Sequence, residues 1–168
     1  QLGDGKLLSN LTKKTVIYNF RQNDLKNGGN GAPLSPIFHK MIEKKFNIKP
    51  VSFFNIGGIL NSTIIRDDGE LTAKDEGPGM CLIDKWIRTK SNKKYDVNGD
   101  IAKSGKINKI IMNQYLDSIK SLNLKQKTFD TNDFDILPVK DLSLEDGAAT
   151  LTYFTANILI NFFSVNKK

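Results

Sequence analysis

Three clusters of residues could do chemistry. Asp24 stands between a β-branched and aromatic run at residues 15–20 (TVIYNF) and a glycine-rich loop at residues 28–34 (GGNGAPL). A carboxylate at a strand's end can face a cleft and act as a general base, and the glycines let backbone approach a ligand closely. The same residues also suit a surface loop in which Asp24 caps a turn. Asn55, Gly57, Gly58, Asn61 and Thr63 fall within NIGGILNST, residues 55–63. A glycine pair at a hairpin tip, followed by Asn, Ser and Thr, can present N–H groups and hydroxyls to a phosphate. Alternatively, the pair only supplies positive φ to a tight turn. Asp75, Gly77 and Gly79 belong to DEGPG, read as the start of a helix. Helix N-termini favour anions, and Asp75 could hold Mg²⁺ or a water there. Plain capping is the other reading.

The elements that must position these residues follow from pattern. Residues 15–20 are predicted to form a strand. Ser35 and Pro36 suit a helix start, and Ile37, Phe38, Met41, Ile42 and Phe46 then recur at helical spacing. Residues 51–56 (VSFFNI), 60–66 (LNSTIIR) and 71–74 read as strands joined by Gly-Gly and by Asp67-Asp68-Gly69, a strong hairpin signal. This predicts a three-strand antiparallel meander. A helix is expected from about 77 to 90, with Leu82, Ile83, Trp86 and Ile87 on one face. A polar loop should run from 90 to 103, a helix from 106 to 122, and an irregular stretch from 125 to 140. A last helix begins at the cap signature Ser143-Leu144-Glu145-Asp146; with nothing following it, Phe154, Ile158 and Phe162 are expected to be uncovered, giving poor solubility. Trp86 reads as core rather than a sugar platform, Cys81 as a small buried hydrophobe, and His39 as a solvated residue on its helix's polar side.

Bulk properties narrow the class. The chain has 168 residues, 39% of them hydrophobic, which suits a packed core. One cysteine, Cys81, excludes an internal disulfide, and one histidine leaves no His/Cys metal cluster. No apolar run reaches the roughly 20 residues that cross a bilayer, and no signal peptide is visible at the start; together these point to a cytoplasmic protein with no membrane partner. The net charge of +7 rests mainly on scattered lysines, so a nucleic-acid partner is not expected.

Taken together and in order, the motifs resemble the anhydro-N-acetylmuramic acid kinase family of the actin/hexokinase/Hsp70-like ATPase superfamily. The family's FRxxD segment leading to GGQGAPL corresponds to Phe20, Arg21, Asp24 and residues 28–34. Its NIGGIANxT corresponds to residues 55–63, its DTGPGNxLLD to residues 75–84, and its YDxxGxxAxxG to Tyr95, Asp96, Gly99, Ala102 and Gly105. Its DxxATLTxxTA helix corresponds to Asp146, Ala149, Thr150, Leu151, Thr152, Thr155 and Ala156. The resemblance implies an α/β chain with a partial actin-like ATPase (ribonuclease H-like) fold. Residues 1–47 would close a first lobe and carry the catalytic-base loop; residues 50–168 would open a second lobe with the phosphate hairpin.

It further implies an ATP- and Mg²⁺-dependent enzyme of cell-wall recycling. Such enzymes hydrolyse the 1,6-anhydro ring of the muramyl sugar and phosphorylate its 6-hydroxyl, giving N-acetylmuramic acid 6-phosphate. By similarity Asp24 is the catalytic base, looking across a groove toward the double-glycine bend. Arg21, Gly29, Gly31, Lys127 and Asp133 would contact the sugar. Asn55, Gly57, Gly58, Asn61, Thr63, Gly77 and Gly79 would contact phosphate or ATP, and Asp75 would approach Mg²⁺ through phosphates. A homodimer is implied for a full-length relative. The sequence departs from the family at Asn30, Glu76 and Met80, and at Asp133 in place of Glu. An extra carboxylate at Glu76 is repulsive near phosphates unless Mg²⁺ or a lysine offsets it. Neither the family's GTSxDG loop nor its GGGxxN adenosine segment is in the sequence. The expectation is a central fragment, inactive alone, with a non-catalytic sugar- or phosphate-binding module of the same fold as the alternative.

Overall fold

The computed structural model describes residues 3–123 and 128–165. Asp4 caps the first helix, α1 (Gly5–Thr12), by accepting from the amides of Lys6 at 2.9 Å and Leu7 at 3.0 Å. Residues 15–20 do not form the expected strand: they are largely exposed, Asn19 has a left-handed φ of 64, and they have no ladder partner among the described residues. β-propensity reports fit to a paired, half-buried surface, and that surface is not provided here. Two helices follow, α2 (Gln22–Lys26) and α3 (Pro36–Phe46).

The expected meander is present: β1 (Val51–Ile56), β2 (Ile59–Ile65) and β3 (Leu71–Pro78) form one antiparallel sheet in that order. Its register pairs Phe53 with Thr63, Asn55 with Asn61 and Asn61 with Asp75. A bulge at Leu60/Asn61 leaves Glu76 without an opposite residue, since Leu60 pairs with Gly77. β3 runs four residues beyond the expected strand, so Asp75, Glu76 and Gly77 lie within it and not at a helix start.

The sheet is covered on both faces. On one, α3 docks through its polar side: His39 Nδ1 lies 2.9 Å from Thr63 Oγ1, and its ring stacks on Phe53 at 4.6 Å. Glu43, one turn on, is 2% exposed and pairs with Lys49 at 3.8 Å. The apolar stripe of α3 therefore faces outward, with Ile37, Phe38, Met41 and Phe46 all more than 60% exposed. His39 is not solvated as expected. Burial lowers its pKa, so the folded state favours the neutral ring. That contribution is complete above the unfolded value of about 6.5 and is lost as pH falls below it and through the lowered folded value. A urea-midpoint series from pH 8 to 5 is expected to fall more steeply for the native chain than for His39→Asn; equal slopes would refute the assignment.

On the other face, Phe54 meets Phe162 of the last helix edge-on at 4.7 Å. The remaining helices are α4 (Cys81–Lys90), α5 (Asp100–Ser104), α6 (Lys109–Asn123) and α7 (Leu144–Val165). α7 is the centre of this layer, contacting α4, α5, α6 and β3. Ser143 accepts from the Asp146 amide at 3.1 Å, as the cap signature predicts. Phe154, Ile158 and Phe162 are at most 8% exposed, which corrects the expectation that they are uncovered. Trp86 is 1% exposed and donates to Leu144 O at 2.9 Å, a core residue as expected. The stretch read as a polar loop holds α5, started by Asp96, which accepts from the Ile101 and Ala102 amides at 2.9 Å each. Gly105 lets the end of α5 abut the backbone of Glu145, where a side chain would collide.

Candidate functional site

The densest grouping of predicted site residues is at the β1–β2 tip. The carbonyls of Gly57 and Gly58 turn back onto the start of α4: Met80 N donates to Gly57 O at 2.7 Å, and Gly79 N and Cys81 N donate to Gly58 O at 2.9 and 3.3 Å. The helix N-terminus expected to attract an anion therefore has these N–H groups occupied by the tip. The peptide between Gly57 and Gly58 is trans, so the Gly58 N–H points opposite to the Gly57 carbonyl, away from α4. Gly58 is exposed.

The reason for the glycine pair is informative. Neither Gly57 nor Gly58 has a left-handed φ. An added Cβ would meet only ordinary contacts, at 3.6 Å from Asn55 Nδ2 and 3.4 Å from Thr131 Cγ2. The turn does not need glycine at either position, which removes positive φ as the explanation. The following glycines differ. Gly77 has φ +155 and a Cβ there would lie 2.9 Å from Ile158 Cδ1, while at Gly79 it would run into the Gly57 carbonyl. Both are buried, and the Thr155 hydroxyl fastens the segment by donating toward Gly79 O at 2.9 Å and Pro78 O at 3.3 Å. Gly77 and Gly79 thus serve close packing in this structure.

Strand alternation places Asn55, Asn61 and Asp75 in one row across the three strands, on the α3 face and next to the tip. Asp75 is half-buried. Its Oδ2 accepts from the Phe129 amide at 2.8 Å. Burial, with Glu76 alongside, raises its pKa against the opposing effect of that hydrogen bond. Thr63, one row further back, is 1% exposed beneath His39. Glu76 points to the opposite face, where it accepts from Ser62 Oγ at 2.6 Å and pairs with Lys74 at 3.0 Å. A lysine thus offsets the extra carboxylate, as the charge argument required.

Asp24 lies in α2 rather than after a strand, and it is exposed. Its Oδ2 accepts from the Gly31 amide at 2.7 Å, Gly29 makes room for the carboxylate, and Arg21 donates to the Gly31 carbonyl. Arg21, Asp24, Gly29 and Gly31 are thus brought together as one loop. Among the described residues no hydrogen bond joins Asp24 to the hairpin. Lys127 lies outside the described residues. Asp133 closes a capping box with Asp130, accepting from its amide at 2.7 Å, and lines a cavity of about 250 Å³ with Gln114, Tyr115, Phe134 and Phe154. Sequence reasoning missed the contact of Phe129 with Asp75 and the approach of Thr131 to Gly58, because Asp75 and Phe129 are 54 positions apart. Among the described residues there is no group of three or more potential metal ligands, and no helix is long and apolar enough to cross a membrane.

Comparison with known proteins matches the chain to a kinase family. The anhydro-N-acetylmuramic acid kinase profile matches residues 1–162. The chain is 48% identical over 163 residues to the anhydro-N-acetylmuramic acid kinase of Pelagibacter ubique, covering 95% of this chain and 44% of that protein. It is 41% identical over 157 residues to the corresponding kinase of Zymomonas mobilis, covering 93% and 43%, and 40% identical over 162 residues to that of Rhizobium etli, covering 95% and 44%. The chain therefore spans less than half the length of these curated relatives. With a match over almost its whole length, it belongs to the anhydro-N-acetylmuramic acid kinase family.

Proposed function

We propose that this chain is the central part of an ATP-dependent kinase that opens the anhydro ring of 1,6-anhydro-N-acetylmuramic acid and phosphorylates its 6-oxygen. The observation that carries the reading is the Gly57–Gly58 tip. The fold permits larger residues there, yet the tip carries two glycines, exposes Gly58 and aims its N–H away from α4. Close approach of a phosphate is the physical reason that remains for the pair. The amides of Asn55 and Asn61 stand beside it, and the family match supports the same assignment.

In this reading Asp24 takes a proton from the water that attacks the anomeric carbon. The bond from that carbon to the bridging oxygen breaks, and the released 6-oxygen attacks the γ-phosphorus as ADP leaves. Arg21 and the Gly29–Gly31 backbone hold the Asp24 loop and line the sugar, with Lys127 and Asp133 as further sugar contacts. Gly77 and Gly79 support the phosphate hairpin from behind, and Thr63 fixes its root. The residues fit a divalent cation held mainly by phosphates: Asp75 is a half-buried carboxylate beside Glu76, which a cation would favour in its charged form. Mg²⁺ bound there would neutralise phosphate charge. The actin-like two-lobed fold, cytoplasmic action and a homodimer of the full-length protein belong to the same proposal. The pairing of Glu76 with Lys74 and Ser62 offsets its charge, which favours the kinase over a non-catalytic module.

A chimera tests it: residues 1–162 replace the matching segment of the Pelagibacter ubique relative. The chimera is expected to release ADP only with the anhydro sugar and to yield the 6-phosphate, while the 168-residue chain alone does neither. A folded chimera that binds ATP but leaves the sugar unchanged would overturn the reading.

A further inference from the structure

The β1–β2 tip and residues 128–134 are far apart in sequence, yet they lie side by side. Asp75 Oδ2 accepts from the Phe129 amide at 2.8 Å. Thr131 Cγ2 lies 3.4 Å from where a Gly58 Cβ would be. The segment is internally braced: Asp130 accepts from Asn132 N at 2.9 Å while Asp133 accepts from Asp130 N at 2.7 Å. It is anchored from below by Phe134, 6% exposed, against which Phe129 packs at 5.3 Å. The Asp75 carboxylate is thus the polar link between this braced segment and the sheet edge beside the tip.

We infer that Asp75 is a positioning residue: by holding the Phe129 amide it sets residues 128–134 against the Gly57–Gly58 tip, so that ligand groups bound at the two places keep a fixed separation. The contact itself is independent of any assigned activity; that the segment faces the sugar and the tip faces phosphate rests on the kinase reading above. An asparagine oxygen could accept the same hydrogen bond. Substitution therefore separates the acceptor from the charge.

Two measurements test this on Asp75→Ala and Asp75→Asn. In the 168-residue chain, amide hydrogen exchange at Phe129 is expected to speed up at least about tenfold in Asp75→Ala, the scale of one lost hydrogen bond, and to stay within about threefold of native in Asp75→Asn. In the chimera, Asp75→Ala is expected to raise KM for the anhydro sugar about tenfold. Asp75→Asn should restore the sugar KM, whatever it does to kcat. Unchanged Phe129 exchange in Asp75→Ala removes the link and refutes the inference, even if the chimera is an active kinase. A sugar KM raised equally by both substitutions, with native exchange in Asp75→Asn, also overturns it, because the charge and not the positioning would then matter. Should Asp75→Ala fail to fold, Asp75→Ser, which is too short to reach the amide, takes its place. Should the chimera show no activity at all, the exchange measurement still decides the link, and only the kinase reading fails.

Discussion

Asp24→Asn in the chimera is expected to lower kcat by about 10²–10⁴-fold, the range for losing a positioned general base. The geometry isolates the chemical effect. Asp24 Oδ2 accepts from the Gly31 amide, and Gly29 leaves space around the carboxylate. An asparagine oxygen fills the same acceptor role in nearly the same volume, so the loop and its Arg21–Gly31 tie should survive. KM for ATP is then expected to stay within about threefold. The measurement is a steady-state comparison of ADP release and sugar phosphate formation. A kcat within tenfold of native would remove Asp24 from the role of base. A parallel loss of ATP affinity would mean that the loop, rather than the proton transfer, had been damaged.

The second large effect concerns stability. Gly79→Ala should destabilise the 168-residue chain by about 3 kcal/mol, the upper part of the usual overpacking range. The added methyl would strike the Gly57 carbonyl, and neither partner can retreat. Gly57 O is bound by Met80 N at 2.7 Å, and Gly79 O is bound by the Thr155 hydroxyl at 2.9 Å. Gly58→Ala is the contrasting substitution. Its methyl meets Thr131 and Cys81 at 3.4 and 4.0 Å, so stability should change by no more than about 0.5 kcal/mol. Urea midpoints at constant m compare the two. Equal destabilisation by both substitutions would contradict the described packing.

Much of this was legible in the sequence. Alternation, Gly-Gly and Asp-Asp-Gly located the meander, with β1 at the expected residues 51–56. Ser143 announced α7, and the heptad-like apolar positions of α4 placed Trp86 in the core. Other features could not be read because they depend on neighbours. TVIYNF has the composition of a strand, but a strand exists only when paired. The apolar stripe of α3 predicted the wrong inward face because His39 and Glu43 found partners on the sheet and in Lys49. The overrun of β3 follows from the bulge at Glu76, a register shift that local composition does not encode. α1 is signalled only by Asp4 ahead of GKLLSNL, a short segment without a full apolar stripe. For the site, motif order gave the residues, whereas the link from Asp75 to Phe129 needed three dimensions.

The meander's two reversals have opposite tolerances. At the Asp67–Gly69 end the chain turns in the open: Gly69 N reaches Arg66 O at 2.9 Å, Asp68 caps Glu70 N at 2.8 Å, and an exposed Arg66–Glu70 pair spans the turn. At the other end every tip carbonyl is sewn to the following helix. The open loop is accordingly the natural place to splice a fluorophore-bearing peptide or an affinity tag, a handle at the opposite end of β2 from the Gly57–Gly58 tip.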